Sequence, residues 1–127
     1  MNTSQLPPAA SYQADYQAII GVLNDYFDGL YEGNVDKLRN IFHEDTVLKG
    51  NEYRRSRDDW LEAVANRPIP RDEGMAFSFN ILSLEIVNDQ AMAKVEAPLL
   101  AAHFIDFLGL LKEDGQWRIV NKMFTTI

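Results

Sequence analysis

The stretch that decides the fold is Ser83–Phe124, SLEIVNDQAMAKVEAPLLAAHFIDFLGLLKEDGQWRIVNKMF. It consists of apolar, strand-like runs that are separated by tight turns at Asn88-Asp89 and Glu113-Asp114-Gly115. Turns of this kind between apolar runs are typical of antiparallel hairpins. The carboxyl-terminal part of the chain therefore predicts a curled antiparallel sheet.

Three helices are predicted ahead of this sheet, from apolar residues at helical spacing. The first continues from a Ser11 cap to Glu32, the second spans Val35–Phe42, and the third spans Arg57–Asn66. Helices followed by an antiparallel sheet define an α+β fold. We expect a cone in which three N-terminal helices pack on a strongly curved, mostly antiparallel sheet.

A phase switch marks the run Met75–Val87. Phe77, Phe79 and Ile81 occupy every second position, and so do Leu82, Leu84 and Ile86, but the two sets are out of step by one residue. Because side chains alternate between the two faces of a strand, this pattern has two explanations. It predicts either a β-bulge near Asn80–Ser83, which would bend the sheet, or a strand that is buried on both faces.

Composition narrows the class of protein. The chain has 127 residues, no cysteine and a net charge of −7. We expect residues 1–10 to form a flexible tail and residues 11–127 to form a single domain. An acidic chain is a poor match for nucleic acid or an anionic membrane surface. The absence of a long apolar run, of a signal peptide and of cysteine favours a cytoplasmic protein.

The run His103–Lys112 carries apolar side chains in both phases of the strand. Phe107 belongs to one face and Leu108 to the other. Both faces are therefore expected to be covered. Helices of this chain can cover one face, and a second copy of the chain is expected to cover the other. We predict a homodimer that packs through the outer face of the sheet.

Several segments together resemble the nuclear transport factor two-like superfamily. They are the Gly33-Asn34 junction, the motif Phe42-His43-Glu44-Asp45, the helix with Trp60, and the ending Glu113–Lys122. Within the superfamily, the chain is most similar to the group labelled putative lumazine-binding, near the SnoaL-like polyketide cyclases. The similarity covers roughly residues 12–126. Because the superfamily includes enzymes and scaffolds, the resemblance implies the fold and leaves the function to the site.

The ketosteroid isomerases of this superfamily place a Tyr on the first helix and a protonated Asp on a late strand, with an Asp base near the early hairpin. The resemblance puts Tyr26 at the Tyr position. Counting back from Asp114-Gly115 puts Phe107 at the late Asp position, with Asp106 on the opposite face. The base position, Thr46–Gly50, has no carboxylate. Isomerase chemistry of this type is therefore not expected, unless a one-residue slip brings Asp106 back.

The catalytic candidates are His103, Asp106 and Tyr26. His103 shares a strand phase with Phe107 and would lie near the pocket mouth as an acid or base, or else be a partly exposed residue at a strand end. Tyr26 would be a hydrogen-bond donor at the pocket floor, or else a core residue. His43 follows a helix and is expected to interact with its free carbonyl groups, or else to act as a ligand or catalyst.

No metal or other cofactor is expected, because His43, Glu44, Asp45 and His103 match no helical ligand spacing. The basic cluster Tyr53–Arg57 could hold an anion, or else be a solvated loop.

Aromatic residues are expected to line a pocket at the open end of the cone, where part of the core is missing. Such a wall suits a flat, apolar or aromatic small molecule, with Asn121 or Lys122 as additional orienting residues. The predicted pocket residues are Tyr26, Phe27, Phe42, Trp60, His103, Ile105, Phe107 and Phe124.

Three functions remain open at this point. The first is a small-molecule-binding domain. The second is a general acid–base lyase, isomerase or cyclase that uses His103 or Asp106. The third is a dimeric structural or protein-interaction module. The enzyme hypothesis requires His103 or Asp106 inside the pocket, within hydrogen-bond reach of another polar group.

Overall fold

The computed structural model describes residues 12–127, so the Ser11 cap and the predicted tail lie outside the described residues. The three predicted helices are confirmed as α1 (Gln13–Glu32), α2 (Val35–Ile41) and α3 (Arg57–Asn66). Gly33 ends α1 with a φ of 64°, a left-handed conformation that favours glycine. No helix in the described part of the chain has the length and apolar character needed to cross a membrane.

Side-chain caps begin the two shorter helices. Asn34 Oδ1 accepts a hydrogen bond from the backbone N–H of Lys37 at 3.1 Å. Ser56 Oγ accepts one from the backbone N–H of Asp59, also at 3.1 Å. Each cap satisfies a donor that the first turn of a helix leaves open.

Six strands form one sheet in the order β2-β1-β6-β5-β4-β3. All neighbouring strands are antiparallel except β1 and β6, which are parallel. The α+β architecture, with three helices on a mostly antiparallel sheet, is therefore confirmed. The strands are β1 (Phe42–Gly50), β2 (Tyr53–Ser56), β3 (Asn80–Val87), β4 (Gln90–Leu99), β5 (Ala102–Glu113) and β6 (Gln116–Thr126).

The first irregularity of the sheet lies in β3. The pairing register with β4 shifts between Ile81 and Ser83, which confirms the bulge near Asn80–Ser83. The strand begins at Asn80, so the predicted start at Met75 is wrong. The residues before Asn80 cover α1 instead, where the Phe79 ring stacks on Phe27 with centroids 5.3 Å apart.

A second irregularity lies between β5 and β6. Gly109 pairs with Asn121 whereas Leu110 pairs with Ile119, so Val120 is the extra residue of the bulge. Trp117 and Ile119 are buried before it, and Lys122 is buried after it. The bulge therefore reverses the alternation of β6, and Lys122 faces the same side of the sheet as Ile119.

The two faces of the sheet differ in their surroundings. The helices cover the inner face, where Leu23, Leu38 and Ile119 are fully buried. The outer face of the central strands carries the apolar side chains of Phe107, Met123 and Met92, which are partly exposed.

Candidate functional site

A cavity of about 310 Å³ lies between the helices and the inner face of the sheet. Its wall is largely aromatic and aliphatic, and a few charged side chains reach into it. A concave apolar site with a small number of polar groups is typical of small-molecule pockets. Its lining residues are Tyr26, Leu30, Tyr53, Arg55, Trp60, Ala63, Arg67, Ala97, Leu99, Phe104, Asp106, Lys122 and Phe124.

Tyr26 and Asp106 form a buried polar pair in this cavity. The Tyr26 hydroxyl, on α1, donates a hydrogen bond of 2.6 Å to Asp106 Oδ2, on β5. Tyr26 is fully buried and Asp106 is only 2 % exposed. Burial raises the pKa of the Tyr26 hydroxyl well above its ordinary value, and the charge and hydrogen bond of Asp106 raise it further. The hydroxyl therefore stays protonated as a donor.

Lys122 is the second buried polar residue of the cavity, at 6 % exposure. Its Nζ lies 4.6 Å from the centroid of the Trp60 ring, 5.3 Å from that of Tyr26 and 5.6 Å from that of Phe124. Burial lowers the pKa of Lys122; the charge of Asp106 partly opposes this shift, and the charge of Arg67 adds to it.

The Lys122 ammonium group has neither a hydrogen-bond nor an ion-pair partner within residues 12–127. The faces of three aromatic rings lie near it, and these attract a cation more weakly than a carboxylate does.

Arg67 directly follows α3 and contributes a second cation to the cavity. Its Nη2 atom is buried and has no hydrogen-bond partner in the described part of the chain. Burial lowers the pKa of the guanidinium group from its ordinary value, although arginine remains charged at neutral pH. A buried donor without a partner carries a desolvation cost that a bound acceptor would offset.

The sequence-predicted pocket residues separate into three groups, of which two are at the cavity or packed against its wall. Tyr26, Trp60 and Phe124 line the cavity together with Asp106. Phe27 and Phe42 do not line it; they pack against Tyr26 with ring centroids 6.0 Å and 5.8 Å from its ring. These two residues form a second layer that supports the wall.

The predicted orientation of β5 requires a correction. Phe104 and Asp106 face the cavity, so the alternation of the strand turns His103, Ile105 and Phe107 to the outer face. Phe107 is 37 % exposed there.

His103 consequently lies away from the cavity. Its Nε2 atom contacts Glu96 Oε2 at 2.8 Å, and Asn80 Nδ2 donates to Glu96 Oε1 at 3.0 Å. The hydrogen bonds from Asn80 and then His103 lower the pKa of Glu96. This contact is a partly exposed pair on the outer face, as the alternative interpretation of His103 anticipated.

His43 also lies outside the cavity, where its Nδ1 atom contacts Asp45 Oδ1 at 2.6 Å. Residues 12–127 contain no group of three or more His, Cys, Asp or Glu side chains with the arrangement of a metal site.

Sequence reasoning missed Arg67 and named Lys122 only as a secondary orienting residue. No pattern in the sequence signals Arg67, which stands before Pro68 in a segment read as a loop. The basic cluster Tyr53–Arg57 was a better guide to the cavity than the loop that holds Arg67, because Tyr53 and Arg55 line the cavity.

Three helices packed on a bulged, six-stranded, mostly antiparallel sheet, with a cavity between the two layers, define a member of the nuclear transport factor two-like superfamily. The chain belongs to the family described as "Putative lumazine-binding", which matches residues 14–125.

Solved structures support the fold. A nuclear transport factor two-like protein of unknown function from Shewanella baltica has a TM-score of 0.81 at 23 % identity, over 91 % of this chain and 96 % of that one. Another from Methylobacillus flagellatus, also of unknown function, has a TM-score of 0.75 at 28 % identity, over 91 % of this chain and 94 % of that one.

Among characterised proteins, the chain is similar to the aldolase FrzH of a Cladobotryum species. The two are 23 % identical over 113 residues, which cover 87 % of this chain and 90 % of that protein.

Proposed function

We propose that this chain binds a flat, largely apolar small molecule that carries an anionic or carbonyl oxygen. The observation that carries the proposal is a pair of cations, the buried Lys122 and the half-buried Arg67 with its buried Nη2 atom, in a cavity whose wall is mostly apolar. Aromatic side chains such as Trp60 and Phe124 would contact the rings of the ligand, and the cations would hold its oxygen atoms.

Calorimetric titration with 2-naphthoate tests this proposal. We expect one site per chain, and Lys122→Met should weaken binding by about 10- to 150-fold, the equivalent of one charged hydrogen bond. Lys37→Met is the matched control, because Lys37 lies on α2 and pairs with Glu32 outside the cavity. Equal affinities for the wild type and Lys122→Met, or no binding of the acid at all, would contradict the proposed ligand class.

A second candidate function is general acid–base catalysis on a carbonyl compound. It is favoured by the Tyr26–Asp106 hydrogen bond inside the cavity, which meets the requirement stated for an enzyme. The similarity to an aldolase supports the same class of substrate. Asp106 would accept a proton from the carbon beside the carbonyl group, and Tyr26 would hold the carboxylate in place.

Exchange of the α-hydrogens of phenylacetone in D₂O, followed by NMR, tests this second candidate. Asp106→Asn should slow the exchange by about 10²- to 10⁴-fold, the usual contribution of a general base. Asp45→Asn is the control, since Asp45 contacts only exposed groups around His43. An exchange rate that stays the same without Asp106 would remove the candidate.

We further propose that the outer face of the sheet forms a homodimer interface. Phe107 pairs with Met123 on the neighbouring strand, and both side chains are partly exposed on a face that the helices leave uncovered. Burying adjacent apolar side chains against a second copy would be favourable. Sedimentation should show a dimer at micromolar concentration that Phe107→Asp converts to a folded monomer; a wild-type monomer would contradict the proposal.

A further inference from the structure

We propose that Lys122 is a nucleophile, and that its Nζ atom forms an imine with the carbonyl carbon of an aldehyde or ketone bound in the cavity. This inference rests on the proposed function, because it requires that the cavity admit a small molecule. It adds the residue and the bond through which a carbonyl ligand would be held.

The position of Lys122 is the first argument. The bulge at Val120 directs its side chain to the inner face, where Nζ reaches the cavity. An amine must lose its proton before it can attack a carbonyl carbon, and this loss is easier where the ammonium form is poorly solvated.

The surroundings of Lys122 provide that condition. Its Nζ atom is closest to the rings of Trp60 and Tyr26, and none of the carboxylates in residues 12–127 forms an ion pair with it. The lowered pKa of Lys122 agrees with this environment.

A proton acceptor lies on the same face of the sheet. Asp106 pairs with Phe124, two positions after Lys122 on β6, so Asp106 and Lys122 are diagonal neighbours. The carboxylate is held by Tyr26 through the 2.6 Å hydrogen bond. Lys122 and the Asp106 carboxylate therefore line the same cavity without a direct ion pair between them.

The reaction balances with these groups and solvent water, which carries protons between Asp106 and Nζ because the two side chains form no direct ion pair. Asp106 takes a proton from the Lys122 ammonium group through water, the nitrogen lone pair forms the C–N bond, and the carbonyl π electrons move to oxygen, which receives the proton back from Asp106. By the same route Asp106 then removes a second proton from nitrogen and delivers it to the hydroxyl group, which leaves as water while the C=N bond forms. The net change is an ammonium group plus a carbonyl giving a protonated imine plus water.

Other charges around the cavity bear on the protonation of Lys122. Arg67 follows α3 and Arg55 lies on β2; both are cations that disfavour a further positive charge. Asp106 on β5 favours it, and the Tyr26 hydroxyl is neutral in the ordinary pH range.

Reductive trapping tests the proposal with benzaldehyde as the probe. The wild-type protein is incubated with benzaldehyde and sodium cyanoborohydride at pH 7, and the benzylated lysines are located by peptide mass mapping. We expect Lys122, whose Nζ atom lies over aromatic rings without an ion pair, to be labelled several-fold faster than the partly exposed Lys37, which pairs with Glu32. Labelling of Lys122 no faster than that of Lys37 would overturn the proposal.

Lys122→Arg tests whether Nζ of Lys122 is the nucleophile. Arginine keeps the positive charge but does not form an imine under these conditions. The variant should lose the fast benzylation, with circular dichroism confirming the fold, while binding of 2-naphthoate is measured separately on the wild type by calorimetry. If the fast labelling persists in Lys122→Arg, the nucleophile is another group and the inference fails. If 2-naphthoate fails to bind the wild type while Lys122 is labelled selectively, the proposed anion-binding function fails and the imine stands.

Discussion

Two clusters of the same residue types lie at different places in the molecule. The Asp15 cluster, at the start of α1, joins Asp15 to Lys112 and Trp117. The Asp106 cluster, in the cavity, combines Asp106 with Lys122 and Tyr26. Each has a carboxylate, a lysine and an aromatic side chain that donates a hydrogen bond.

The clusters differ in how the lysine is used. In the Asp15 cluster, Lys112 Nζ and Trp117 Nε1 each donate to Asp15 Oδ1 at 3.0 Å, and Lys112 remains 40 % exposed. In the Asp106 cluster the hydroxyl is paired, whereas the lysine is buried among aromatic rings. The first arrangement stabilises the fold, and the second keeps a cation available for a ligand at a cost in stability.

The largest expected effect on stability comes from Asp106→Ala. The substitution leaves the Tyr26 hydroxyl without its acceptor and Lys122 without its nearby countercharge, so we expect a loss of about 3 kcal/mol in the free energy of unfolding. Urea denaturation measures it. The double variant Asp106→Ala/Lys122→Met should be less destabilised than the sum of the single variants, and strict additivity would show that the two residues are not coupled.

Asp15→Ala should have the next largest effect. It removes the acceptor of two hydrogen bonds, and we expect a loss of about 2 kcal/mol at pH 7. Asp25→Ala, an exposed position on the same helix, is the control. A loss no larger than that of the control would mean that the Asp15 cluster does not stabilise the fold.

The loss in the free energy of unfolding caused by Asp15→Ala should also depend on pH. The hydrogen bonds from Trp117 and then Lys112 lower the pKa of Asp15 below 3.8. Its stabilisation is therefore fully present above that value and is lost as the pH falls through the lowered, folded-state pKa. The difference between the wild type and Asp15→Ala should shrink in acid, as followed by thermal unfolding at a series of pH values.

Lys122→Met should have the smallest effect at pH 7 and the opposite sign, a gain of about 1 kcal/mol, because it removes a buried charge. The folded-state pKa of Lys122 lies below its ordinary value of 10.5, so between the two values the unfolded chain binds more protons. The cost of burying Lys122 therefore declines as the pH rises through this window, and the gain from Lys122→Met should disappear there. A gain that is independent of pH would mean that the charge of Lys122 is not its source.

Local sequence patterns predicted the elements well because their causes are local. Ser56 and Asn34 cap helices through bonds to residues three positions ahead, and Gly33 adopts the left-handed conformation. The change of phase near Leu82 was visible in the sequence, and the pairing of β3 with β4 decides that it is a bulge. The caps and the conformation of Gly33 depend on neighbours in the chain and need no knowledge of the tertiary structure.

The sequence did not predict in the same way which side chains of β5 face the helices. Apolar residues occupy both of its phases, so alternation alone does not show which phase meets the helices. The position of Tyr26 on α1 resolves the question, since its hydroxyl requires a partner and Asp106 supplies it. The comparison with the isomerases put Phe107 at the position of the late-strand Asp, whereas Asp106 is the residue that contacts Tyr26. The position of the isomerase base, Thr46–Gly50, has no carboxylate.

The sequence by itself determined the α+β cone, the three helices and the family, because capping, turns and apolar periodicity are properties of short segments; the second helix ends at Ile41, one residue before the predicted end. Only the tertiary structure decided the cavity. The extra residue at Val120 reverses the alternation of β6, and this reversal turns Lys122 inward toward Trp60. A bulge in one strand is defined by its pairing with another, so the direction of Lys122 depends on contacts between segments that are distant in the chain.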